Sequence, residues 1–288
     1  MLRFLQLIRF SHTLFAMPWA LAGLFLGARG MPSGVVFLWV MAAMVGARTA
    51  AMTFNRLVDR SFDARNPRTA TRGSVTGAVS VPFMAVATIA AVALFFLASH
   101  QLNELCFYLA FPTLVVLLGY SYCKRFTSLS HVVLGIALGL SPVGAYLAVR
   151  GAFDQGSLAA IGLGLCVLAW TAGFDIMYAC QDMEHDRALN LRSIPARLGI
   201  PRSLVLARWF HGAVPLLLVL SGALGDLRWI YFGGVIVSTL LLIYEHRLVR
   251  AVDLSRLQTA FFGVNVAIAL VTMTALILDL LLLQSHHA

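Results

Sequence analysis

Nine apolar runs follow one another along this chain with only short polar gaps between them, at residues 13–28, 35–54, 81–99, 105–122, 132–149, 158–180, 204–224, 229–244 and 259–283. A helix crosses the hydrocarbon of a bilayer with about 20 apolar residues, and it does so because all its backbone polar groups are bonded internally. The chain is therefore expected to be an all-α integral membrane protein of nine transmembrane helices, forming a single domain over residues 1–288. Composition agrees: 60% of residues are hydrophobic and 11% charged, against roughly a quarter charged in soluble domains. The first run alone could pass for a signal peptide, but the eight that follow it make it a first span, preceded by a short amphipathic opening at 2–10 with Arg3 and Arg9.

A net charge of +9 raises the question of nucleic acid, yet the arginines are confined to short loops between apolar runs, which points to topology and anionic ligands. With the N-terminus in the cytoplasm, seventeen of the 21 basic residues fall on or near the cytoplasmic side. Only Arg29, Arg150 and Arg228 fall outside, and Arg48 lies within a span. That asymmetry predicts the orientation, with both acidic stretches opening on the cytoplasmic face; the expected location is the cell (inner) membrane. Cys106, Cys123, Cys166 and Cys180 have no CxxC pairing, so neither a disulfide framework nor a zinc site is expected. His131, His211 and His246 read as surface or interface residues, and His286 and His287 as tail.

Against this background the acids stand out. Six of the twelve lie in two places, Asp59 and Asp63 in one, Asp175, Asp182, Glu184 and Asp186 in the other. In a helix Arg48, Asn55, Asp59 and Asp63 share one face, as do Asp175, Tyr178, Asp182 and Asp186, so each apolar run leaves the membrane presenting a polar stripe. The two stretches end the second and sixth spans with the same orientation, as in a parallel repeat of two four-helix halves around a central cavity plus one extra helix. A solvated helix end is the plainer explanation of paired carboxylates. At membrane depth, however, ionisable groups are costly and are usually functional.

Two acidic pairs facing one cavity repel unless cations lie between them; at about 4 Å and an effective dielectric of about 20, two charges interact by about 4 kcal/mol. Magnesium suits such pairs, since it binds through one or two carboxylates and completes its shell with water and phosphate oxygens. Arg65, Arg68, Arg72, Lys124 and Arg192 offer charge for a diphosphate. Each arginine taken singly is also an ordinary positive-inside loop residue. Lys124, the one lysine of the chain, sits beside Tyr120, Tyr122 and Arg125. Arg48 and Asp175 lie deeper; they either pair with each other or bind and activate a substrate group.

The residues NRLVDRSFD (Asn55, Asp59, Asp63) and DIMYACQDMEHD (Asp175, Tyr178, Asp182, Asp186) closely resemble the two aspartate motifs of the UbiA superfamily of intramembrane aromatic prenyltransferases. RFSHTLFAMP, Arg48, ARNPRTATR and YSYCKR follow in the family's order, so the resemblance covers nearly the whole chain. It departs at Arg56, where many relatives carry Asp, and at Arg192–Ser193, where Lys-Ser is usual. The resemblance is greatest to the 4-hydroxybenzoate polyprenyltransferase branch, which also includes enzymes acting on dihydroxynaphthoate.

What the resemblance implies is magnesium held by Asn55, Asp59, Asp63, Asp182 and Asp186, a polyprenyl diphosphate donor and a small aromatic acceptor. Asp175, Tyr178 and Arg48 are expected at the reacting end, and Arg125 at the carboxylate of the acceptor. A cation-coupled transporter also uses intramembrane acids, but arginines packed beside them would repel its cargo. A CDP-alcohol phosphatidyltransferase is likewise aspartate-rich, and its glycine-and-arginine spacing is missing here.

Overall fold

The computed structural model describes residues 13–283. The basic opening with Arg3 and Arg9, the first residues of RFSHTLFAMP, and His286 and His287 lie outside the described residues. The chain runs through α1 (Thr13–Ala28), α2 (Gly34–Val58), α3 (Val81–Leu102), α4 (Glu104–Gly119), α5 (Ser130–Arg150), α6 (Ser157–Ala179), α7 (Ile200–Leu224), α8 (Trp229–Leu248) and α9 (Asn265–Leu283). Among the described residues, eight helices are long and apolar enough to cross a membrane, and a ninth, Phe15–Ala28, is apolar but shorter. The expected runs are all present, with the eighth extended to Leu248 and the ninth opened by a π-helical turn at Thr259–Val264.

Caps at the membrane edges explain where the helices turn. Ser33 and Ser80 accept from the N–H groups of Val36 and Phe83, satisfying donors that have no intrahelical partner. Asn103 joins α3 to α4: its Oδ1 accepts from the Cys106 N–H at 2.9 Å and its Nδ2 donates to the Leu147 carbonyl at 3.0 Å. Asp279 is fully buried and receives the backbone N–H groups of Arg228 and Tyr231, which begins α8. Between α5 and α6 the backbones approach closely; a methyl group on Gly139 would stand 2.5 Å from the Gly164 carbonyl oxygen, so the contact depends on small residues rather than on hydrophobic driving force.

Three helices break at the same end of the bundle. After α2 comes the short helix Arg60–Asp63, after α4 a 3₁₀ turn at Tyr120–Tyr122 and a turn at Cys123–Phe126, and after α6 a 3₁₀ turn at Cys180–Asp182 followed by Met183–Ala188. Asp59 (φ −91°, ψ 2°) and Asp182 (φ −100°, ψ 3°) adopt nearly the same backbone conformation at these breaks. This local match fits the parallel repeat expected from the acids. The straight helix expected through Asp63 is interrupted at Asp59, and that expected through Asp186 at Asp182.

Candidate active site

One large cavity, about 460 Å³, gathers the polar stripes. Its lining comes mainly from α2, α4, α5 and α6, with α7 and α8 supplying none of it and Phe261 of the π-helical turn closing one side. At its rim lie Asn55, Asp59, Asp63, Asp182 and Asp186; its apolar shaft descends to Val40, Leu102 and Leu147. From Asp59 back to Val40 the helical rise of 1.5 Å per residue corresponds to about 28 Å, most of a bilayer core.

Each rim aspartate is held by a cation. Arg68 donates from Nε to Asp182 Oδ1 at 3.0 Å and from Nη2 to Asp182 Oδ2 at 2.6 Å, and Asn66 adds a bond at 3.2 Å. Arg72 Nη1 spans both oxygens of Asp63 at 2.6 and 2.7 Å, with Arg56 at 3.8 Å behind it. Lys124 Nζ is 3.3 Å from Asp186, and Arg125 is 3.7 Å from Asp59. Asn55 donates to Asp59 at 2.7 Å. Burial and the neighbouring Asp63 raise the pKa of Asp59 above the ordinary carboxylate value, against the pull of Arg125, Asn55 and Lys124. Burial lowers the pKa of Arg68, but the hydrogen bonds and charge of Asp182 outweigh it and the net shift is upward.

The donor set fits magnesium. All five candidate ligands offer hard oxygen, and among the described residues no three acids, histidines or cysteines converge on one point. Magnesium held there through one or two carboxylates would complete its shell with water and phosphate oxygens. Burial first and the neighbouring Asp63 second raise Asp59, and a cation beside that pair would offset the repulsion between the two.

Residues 16–274 match the UbiA prenyltransferase family. The chain belongs to that family. It is 32% identical over 244 residues to the 4-hydroxybenzoate octaprenyltransferase of Methylobacillus flagellatus, covering 84% of this chain and 81% of that one. It is similar to the apo structure of a UbiA homolog from Aeropyrum pernix K1, with a TM-score of 0.85 and 30% identity over 94% of this chain and 98% of that one. A UbiA homolog from Archaeoglobus fulgidus bound to GPP and Mg2+ shares the fold at 20% identity, with a TM-score of 0.68 over 96% of this chain and 99% of that one.

Within this UbiA-family cavity the expected residues separate into two groups. Asn55, Asp59, Asp63, Asp182, Asp186, Arg68, Arg72, Lys124, Arg125, Arg48, Asp175 and Tyr178 all line it. Arg65 and Arg192 do not. Arg65 stands outside, 5.9 Å over the Phe62 ring. Arg192 donates to the Phe126 carbonyl at 2.7 Å, and its backbone N–H to the Lys124 carbonyl at 2.6 Å, so it braces the Lys124 turn instead of facing the cavity. Arg125, expected at the acceptor, is engaged at the rim: it donates to the Val58 carbonyl at 2.8 Å and lies over the rings of Phe62 and Tyr122.

Arg48 and Asp175 do not form the ion pair considered from sequence. Asp175 Oδ2 lies 2.6 Å from His131 Nδ1, while Arg48 Nε is buried without a hydrogen-bond partner. His131 is not a surface residue, because packing against α6 leaves it 0% exposed. His211 is also buried, bonded to His246 at 2.9 Å and to the Trp170 carbonyl at 3.1 Å. Nearby, the buried Glu245 accepts from Asn265 at 2.7 Å, and Asn265 accepts from Trp170 Nε1 at 2.6 Å. Acids within spans are thus not limited to the two motifs, and Glu245 and Asp279 serve helix contacts away from the cavity.

Proposed function

We propose that this chain transfers a polyprenyl group from its diphosphate to the ring of an aromatic acid such as 4-hydroxybenzoate. The observation that carries the proposal is one cavity joining four aspartates and their cations at the rim to an apolar shaft about 28 Å deep. The rim suits a diphosphate, the shaft an isoprenoid tail. Relatives named 4-hydroxybenzoate octaprenyltransferase support the acceptor, and the homolog bound to GPP and Mg2+ supports the donor and the metal.

Asn55, Asp59, Asp63, Asp182 and Asp186 would hold magnesium, which when bound neutralises the leaving diphosphate and eases rupture of the allylic C–O bond. Arg68, Arg72 and Lys124, now on aspartates, are placed to turn their donors to the diphosphate oxygens once those aspartates are engaged. Arg48, with its buried unpartnered Nε, is the cation available at the depth of the acceptor carboxylate. Asp175, seven residues before Asp182, lies about 10 Å deeper, beyond a shared metal, and takes up the proton that the ring loses. Tyr178, under Arg68 and against Phe261 at a ring separation of 4.2 Å, walls the reacting space from water. By its excess of basic residues the rim faces the cytoplasm.

Purified protein given magnesium, polyprenyl diphosphates and a panel of aromatic acids tests this reading. Mass spectrometry should find a ring-prenylated acid; hydrolysed donor alone, whatever the acid supplied, would rule the transfer out.

A further inference from the structure

One titratable side chain on the cavity wall has no part in the reaction so far. His131 stands in the first turn of α5, fully buried, with Nδ1 2.6 Å from Asp175 Oδ2 on α6. Its Nε2 is buried as well and has no hydrogen-bond partner. These two facts assign the tautomer. A proton on Nδ1 has the carboxylate as acceptor; a proton on Nε2 would strand a buried N–H and set two lone pairs against each other at 2.6 Å. The side chain of Asp175 is 18% exposed and that of His131 0%, so the acid faces the cavity and the imidazole stands behind it.

We propose that His131 is a positioning residue for ring capture: its Nδ1–H fixes Asp175 Oδ2 and thereby presents Oδ1 to the acceptor ring. This rests on the prenyl transfer set out above. In that step the C–O electron pair of the donor leaves with the diphosphate, and a π pair of the ring forms the new bond to the allylic carbon. The ring C–H bond then breaks, its pair restores aromaticity, and the proton passes to Asp175 Oδ1. The neutral acid returns the proton to water when product leaves. A carboxylate that takes a proton from one ring carbon needs a fixed rotamer to meet it. A single N–H from an immobile, buried imidazole provides that. The pattern of a buried group orienting a reacting one through a short charge-assisted bond is the same in kind as the acid behind the histidine of a hydrolytic triad, with the two partners exchanged.

The test compares wild type with His131→Leu, His131→Asn, Asp175→Asn and the Leu/Asn double variant, each full-length with magnesium, and follows prenylated ring and released diphosphate together. His131→Leu should leave the donor KM within about twofold, lower kcat for ring product at least about tenfold, and raise the diphosphate released per ring product as unprotected cation is lost to water. His131→Asn, which keeps an N–H near the Nδ1 position, should recover most of the loss. In an Asp175→Asn background the same His131→Leu change should cost no more than about twofold, because both act through one carboxylate. Should His131→Leu not fold, His131→Gln, whose amide reaches instead toward the Nε2 position, replaces it and should fall well below His131→Asn. Wild-type partitioning in the Leu or Gln variant, equal activity of Gln and Asn, or additive losses in the double variant would overturn the role of His131 while leaving the transfer reaction standing. A wild type that releases diphosphate but never prenylates a ring overturns the reaction, and the inference with it.

Discussion

Arg68 and Asp182 are separated by 114 residues in the chain and meet through two parallel hydrogen bonds, at 3.0 and 2.6 Å, that tie the loop after α2 to the end of α6. The pair joins the two aspartate motifs across the cavity rim. On the proposed function it is also a pair that opens, with Asp182 assigned to the metal and the guanidinium to the diphosphate. Arg68→Lys keeps the charge and loses the planar fork. Its donor KM should rise about tenfold, near the value of one charge-assisted bond, with the acceptor KM unchanged in initial-rate measurements. A Lys variant with wild-type donor KM would show that the fork matters only to the closed rim.

Asp59→Ala and Asp182→Ala each remove one proposed ligand from a set in which no three acids converge among the described residues. One carboxylate of a pair is a poor site for magnesium alone, so either change should abolish transfer while the detergent-solubilised protein keeps its helical circular dichroism. Chelation of wild type should have the same effect, reversed by added magnesium. Near-normal turnover of either variant at saturating magnesium would remove that aspartate from the metal site.

Arg48 lines the cavity from α2 with a buried Nε that has no hydrogen-bond partner, a donor that an anion would satisfy. Arg48→Met preserves much of the volume and removes the cation. The acceptor KM should rise at least about tenfold, as for a lost charge-assisted bond, while the donor KM stays near wild type. Equal effects on both substrates would place Arg48 with the diphosphate instead.

Much of this site was legible because carboxylates are so scarce in apolar runs. Asp59, Asp63, Asp182 and Asp186 stand out at helical spacing, and the cavity does gather them. The breaks at Asp59 and Asp182 were not legible: neither is marked by glycine or proline, and the turn arises where three helices end together. His131 was missed for a related reason. A lone histidine at the start of an apolar run has no periodic signal, and its partner is 44 residues away. The available clue was that Asp175 needed a partner and that Arg48 was only one of the polar residues able to reach its depth. Arg192, expected at the diphosphate, stands outside the cavity lining: its charge was visible in sequence, whereas the carbonyls of the Lys124 turn, which it braces, were not.

The proposed orientation of the cavity rests on arginines alone and can be tested by residues at opposite ends of the bundle. The four native cysteines are free, and none of them is exposed, so new thiols can be read against a low background. Arg65 is exposed beside the rim, outside the cavity lining. Phe153, 57% exposed, lies in the loop from α5 to α6 at the far end. In intact spheroplasts a membrane-impermeant maleimide should label Phe153→Cys and leave Arg65→Cys unmodified until the membrane is opened. Neither site touches the rim aspartates, so both variants should retain transfer activity, which separates a topological result from a misfolded one. Labelling of Arg65→Cys in sealed spheroplasts would invert the protein. The donor diphosphate would then have to reach the rim from the outer face, and the positive-inside asymmetry of the loops would need another cause.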